Sequence, residues 1–314
     1  MTLWNTLDAS ICTALTVEID AITALSESSN AAPYLLLDQG EADFLPVEKC
    51  RLRPTPDSYF KDEPTRAPNL LPLKLPADHS ILQEAFASAT LTASQRLHAK
   101  KVSALLLVSC DIEALLGHFG VLSLQYDPTE GAESACVLRY QDPRVIQRVW
   151  PILSESQRRT WLGPIQHWYG ATQPTGLIVA EAAAAPILWH ATPALADVQP
   201  HSRVHHLLDS VQWRLAHSAP AENSFWQVVS LRSTSGHTAP YPSTGTLRSW
   251  LSEAASSGLG INDQTDWALC QWGVGQDYWE SAMGRRQACA ALDMLKKHAG
   301  LGFADAWHMA GLSL

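Results

Sequence analysis

Residues 102–126 read VSALLLVSCDIEALLGHFGVLSLQY, and they decide the fold class. Val102 to Val108 is an apolar run with no polar alternation, the pattern of a strand buried on both faces. Ser109 or Asp111 is placed to cap the next helix, where Ile112, Leu115, Leu116 and Phe119 share one face. Gly120 is expected to stop that helix. Val121 to Tyr126 and Ala135 to Tyr140 then read as strands. Asp127-Pro128-Thr129-Glu130-Gly131 between them has turn chemistry, so the two strands predict a hairpin.

Toward the C-terminus, Asp142-Pro143-Arg144 is a helix start: an acid at the N-cap, then proline at the first helical position. Val145, Ile146, Val149 and Trp150 supply its buried stripe, and Pro151 ends it. Ser154-Glu155-Ser156-Gln157 matches a capping box for a second short helix, closed by Gly163-Pro164. Gly176 to Ala180 reads as a further strand. Val204 to His217, Thr246 to Gly258, Asp263 to Trp272, Arg285 to His298 and Gly302 to Gly311 read as helices.

Toward the N-terminus, Leu7, Ile11, Leu15, Ile19 and Ile22 recur at helical spacing within residues 3–25. Pro33-Tyr34-Leu35-Leu36-Leu37 reads as a short buried strand ended by Asp38-Gln39-Gly40. Six prolines between Cys50 and Pro76 predict an irregular surface segment. The expected class is therefore α+β. A mixed lobe with a small central sheet occupies residues 1–170, and a mainly helical lobe occupies 171–314.

The 314 residues are 46% hydrophobic and 17% charged, with a formal net charge of −9. Such a chain can build a substantial core. Asp8, Glu18, Asp20, Glu27, Asp38, Glu41, Asp43 and Glu48 precede or interleave with no arginine or lysine before Lys49. An acidic balance of this kind argues against a nucleic-acid partner. The stretch itself reads as a solvated face or as a docking face for a basic partner. The six cysteines form no C-x-x-C pair, which fits reduced thiols in a cytoplasmic protein. Neither a signal peptide nor an apolar run of the ~20 residues that span a bilayer is evident, so no membrane insertion is expected.

Nucleotide-binding and nucleophile-elbow motifs are absent from the sequence, and no cofactor is expected. Two alternatives point to a hydrolase. His201 and His205, at i and i+4, with Asp209 could hold a metal. Cys110, ahead of a helix, could be a nucleophile with His118 or His167 as base. A solvated histidine cluster and a buried cysteine are the competing readings. Eleven of the twelve tryptophans fall from Trp150 onward. Most suit a core, yet tryptophan also dominates binding hot spots. Trp250, Trp267, Trp272, Tyr278 and Trp279 are accordingly candidate partner-binding residues.

The run Leu138-Arg139-Tyr140-Gln141-Asp142-Pro143-Arg144-Val145, followed by Leu153-Ser154-Glu155-Ser156-Gln157 and Gly163-Pro164-Ile165-Gln166-His167-Trp168, resembles the signature of the type VI secretion effector adaptors. These are also called Tap or TEC chaperones. The resemblance is specific over residues 100–170 and looser beyond. Gly117-His118 replaces the family's usual basic cluster, and residues 181–241 have no counterpart. The resemblance implies a non-catalytic cytoplasmic adaptor that binds a cognate effector and the VgrG spike or its PAAR tip. Arg139, Asp142, Pro143, Arg144, Gly163, Pro164 and Trp168 would be its signature residues. Asp142 is placed to cap a helix and to receive Arg139 or Arg144, fixing the joint between sheet and helix.

Overall fold

The structure is a computed structural model that describes residues 3–38, 45, 47–57, 60–93, 100–128, 135–173, 187–193, 204–233 and 240–312. Its strands are β1 (Ala32–Leu37), β2 (Arg53–Pro54), β3 (Asn69–Pro72), β4 (Val102–Val108), β5 (Leu124–Tyr126), β6 (Ala135–Val137), β7 (Ile165–Ala171) and β8 (Leu188–Ala191). All but β5 and β6 share one antiparallel sheet in the order β2-β3-β1-β4-β7-β8. The apolar run of β4 sits inside this sheet and is buried along its whole length. β5 and β6 form the expected hairpin as a separate pair.

Strand alternation sends successive side chains to opposite faces, and helices cover both. On one face Tyr34, Leu36, Leu106 and Trp168 share a core with α3 (Ile112–Ser123), α4 (Pro143–Val149), α5 (Glu155–Leu162) and α6 (Ser210–His217). On the other, Leu35, Leu105 and Leu107 meet Leu15, Ile19 and Ile22 of α1 (Ala9–Ser29) and Leu82 and Phe86 of α2 (His79–Ala93). Asp8 caps α1 through the Ser10 amide, and Asn30 closes it in the left-handed conformation. By length and composition alone α1 is long and apolar enough to cross a membrane, which the expectation of no such segment did not allow for. Its apolar stripe packs on the sheet, and its other side exposes Glu18 and Asp20.

Two expectations change. The proline-rich segment contributes β2 and β3 to the sheet: Leu70 and Leu71 are buried between Pro68 and Pro72, and Pro54 sits on the edge strand, where a missing donor is tolerated. Gly120 does not end α3. It lies inside the helix, where an added Cβ would meet Pro56 at 3.1 Å, so its role is close approach rather than termination. Helix α2 and strands β7 and β8 were not anticipated. The strand expected at residues 176–180 lies outside the described residues.

Over the described residues the chain divides into two compact units that part at Ala216/His217, where the sequence placed the division at 170/171. β8 pairs with β7, and Trp213 of α6 enters the first unit's core, which carries that unit past residue 170. The second unit is helical: α7 (Ala219–Ser233), α8 (Thr244–Ser256), α9 (Ile261–Val274), α10 (Gln276–Glu280), α11 (Ala282–Lys297) and α12 (Phe303–Leu312). The whole is α+β, as expected.

Candidate functional site

The signature run folds into a joint at the end of β1. Asp142 caps α4, its Oδ1 accepting the Arg144 amide at 2.9 Å. Arg144 also forks onto the same carboxylate, with Nε 2.8 Å from Oδ1 and Nη2 2.6 Å from Oδ2. Charge-assisted bidentate pairs of this kind are the strong class of hydrogen bond. Arg139 reaches Asp38 at 3.4 Å and Asp142 at 3.7 Å, and the Gln141 amide donates to Asp38 at 3.4 Å. Asp38 and Asp142 are almost wholly buried, whereas the Arg139 side chain is half exposed.

The two carboxylates shift in opposite directions. Burial pushes Asp142 up, but the Arg144 hydrogen bonds and charge outweigh it and hold the acid below its ordinary value. At Asp38 burial wins over Arg139, and the acid is raised, with Asp142 adding to the rise. The cap and the arginine pairing are legible in the sequence, whereas the part played by Asp38 is not. A carboxylate placed directly after the apolar run Leu35-Leu36-Leu37 is the signal that marks it.

The remaining signature residues extend the joint. Pro143 is buried at the first turn of α4. Tyr140, wholly buried, stacks on Phe119 at 4.7 Å, and Phe119 meets Trp168 edge-on at 6.3 Å. Ser154 and Gln157 form the expected capping box of α5. Gly163 ends α5 at φ 54°, and an added Cβ there would lie 2.4 Å from the His118 ring. His118 Nε2 in turn lies 2.9 Å from the Trp161 carbonyl. The Pro164 carbonyl accepts the Ser109 amide at 3.2 Å, tying the end of β4 to the start of β7. These contacts fasten the sheet to α3, α4 and α5, and both buried carboxylates are directed at groups inside the joint.

Among the described residues, the hydrolase candidates face other groups. His205 Nδ1 faces the Leu124 carbonyl at 3.0 Å, and Asp209 caps α6 through the Val211 and Gln212 amides. His201 lies outside the described residues. Among those residues no group of three His, Cys, Asp or Glu side chains converges. Burial raises the Cys110 thiol, and Asp111 raises it further, the opposite of what a nucleophile requires. His118 is lowered by burial and turned to Trp161, while His167 lies 3.1 Å from His190.

The tryptophans of the second unit are core. Trp250, Trp267, Trp272 and Trp279 are each at most 8% exposed. Trp279 stacks on Trp307 at 4.7 Å and meets Trp267 at 4.9 Å, and Trp267 lies 4.9 Å from Phe303. Trp250 Nε1 donates to Gln276 and Trp272 Nε1 to the Pro240 carbonyl. The helices bring alanines such as Ala254, Ala288 and Ala306 to the same core, so large rings fill the space between them. Only Tyr278 of the five candidates is exposed, its hydroxyl donating to Gln287.

An aromatic cluster does reach the surface of the first unit. Trp150 and Trp189 are half-buried and meet edge-on at 5.8 Å, Arg158 stands 5.5 Å over Trp150, and Ile152 is exposed. Elsewhere on that unit an open recess of about 810 Å³ is lined by Tyr34, Arg51, Arg53, Lys74, Asp78 and Ile112. Arg51 pairs with Asp78 at 2.6 Å and Arg53 with Glu113 at 2.5 Å. The acidic stretch is partly consumed within the fold: Asp8 caps α1, Asp20 lies 3.2 Å from His79, and Asp38 is buried. Comparison of the chain with family models, curated proteins and solved structures returns no match.

Proposed function

We propose that this chain is a non-catalytic adaptor that holds a type VI secretion effector for transfer to the VgrG or PAAR spike in the cytoplasm of the producing cell. The observation that carries the reading is the joint around Asp142. The residues that resemble the adaptor signature pair with one another and with Asp38, as expected of a motif that fixes a scaffold. A catalytic motif would instead hold its charges toward a cleft.

Partner contact then belongs to surface residues outside the joint. Trp150, Trp189 and Arg158 have the composition of a binding hot spot. They take the place of the buried tryptophans of the second unit as the favoured contact residues.

The test is affinity purification of the tagged full-length chain from its native host, with the bound proteins identified by mass spectrometry. The expected result is a secreted effector together with a spike component. Recovery of neither, under conditions where the tagged chain is folded and abundant, would overturn the proposal.

A further inference from the structure

We propose that His167 and His190 form a chelating site for one divalent transition-metal ion, on the face of the sheet that carries α1 and α2. This site is independent of the adaptor reading. β7 and β8 pair antiparallel with Tyr169 opposite His190, so His167 and His190 are diagonal neighbours across the two strands. Diagonal neighbours on one face are within reach of long side chains. Here His167 Nδ1 and His190 Nε2 stand 3.1 Å apart. Two imidazole nitrogens bound side by side to one ion, each at about 2.0–2.1 Å, stand roughly 3 Å apart. The strand pairing therefore sets the bite of a chelate.

Tyr169 stacks parallel on His190, centroids 4.2 Å apart at 1°, and the two imidazole planes are 17° from parallel with centroids 5.3 Å apart. The facing nitrogens therefore lie close to the line between the rings, and each ring turns about its side-chain bonds to aim at a shared ion. In the contact between the rings one nitrogen carries the proton and the other accepts it. Ligation moves that proton to the far nitrogen of its own ring, so both lone pairs turn to the ion and no net proton leaves two neutral imidazoles. His190 is exposed, which leaves an entry path and room for water in the remaining positions. Imidazole donors suit copper, zinc and nickel, and Cu²⁺ binds most strongly in that series. His79, His118 and His205 instead face Asp20, the Trp161 carbonyl and the Leu124 carbonyl.

The experiment adds Cu²⁺ to the chelator-treated full-length chain and follows binding by titration calorimetry and electron paramagnetic resonance. The wild type should take up one equivalent whose spectrum shows coupling to two imidazole nitrogens. His190→Ala removes an exposed ring and leaves the β7–β8 backbone pairing in place, so that equivalent should be lost while the chain still melts cooperatively. His167→Gln is the second variant and should behave alike. The site is refuted if the wild-type spectrum lacks imidazole coupling, or if the equivalent persists in either folded variant.

Discussion

Asp142 and Asp38 share one buried joint, yet their substitutions should differ sharply in cost. Asp142→Ala removes a cap worth about 0.5–2 kcal/mol. It also removes the carboxylate on which the largely buried Arg144 forks, which adds to the loss. Chemical denaturation should therefore show a large loss at neutral pH. Asp142 is held below its ordinary value. Its contribution is fully present above that value and is lost only as pH falls through the lowered one. Asp38 is raised, so its contribution is present in acid and lost as pH rises through the raised value. Asp38→Asn resembles the protonated acid and should cost much less near neutrality than Asp142→Ala. Equal losses would contradict this account of the joint.

His118 gives a pH signature of the same region. Burial lowers its proton affinity in the folded chain, so the unfolded chain binds the proton more readily. Stability should be level above the ordinary histidine value and fall as pH drops below it. Melting should occur at a lower temperature near pH 5.5 than near pH 7.5, within the range where an ordinary histidine titrates. His118→Leu should make that fall shallower. His167 and His190 are lowered too, so part of the slope should persist in the variant.

At the scale of elements, the second unit's helices are joined by their rings. Trp279 touches both Trp267 and Trp307. Trp279→Ala should cost about 3–5 kcal/mol, the usual loss for a buried large aromatic. The loss should appear as early unfolding of that unit in hydrogen exchange, with the first unit's protection retained. Elements with local signals were legible in the sequence: β4 from its apolar run, α4 from Asp142-Pro143, and α5 from its capping box. β3 was hidden because Leu70 and Leu71 stand between prolines, and its partner β1 lies far away in sequence. β7 escaped because Gln166 and His167 interrupt its apolar pattern. Asp38 escaped for a related reason. A cap is set by residues two or three apart, whereas Gln141 and Asp38 meet across 103 residues. Candidate tryptophans were visible as a composition, but composition does not say which face of a helix a ring occupies.

At the scale of the molecule, the boundary at Ala216/His217 predicts how the chain can be cut. Residues 1–216 should express as a folded unit with cooperative melting. Residues 1–170 lack β8 and α6, exposing the edge of β7 and the core site of Trp213, and should aggregate or melt without cooperativity. Size-exclusion chromatography and thermal denaturation of the two fragments decide between the boundaries. Matching behaviour of both fragments would return the boundary to residue 170.

The adaptor reading requires a complex in which the partner is held without being altered. Native mass spectrometry of the tagged full-length chain, purified from its native host, measures this directly. The account predicts a defined complex with one secreted effector whose mass equals that of its unmodified sequence. Absence of any such complex, or a bound protein that the chain has cleaved or otherwise modified, would contradict it.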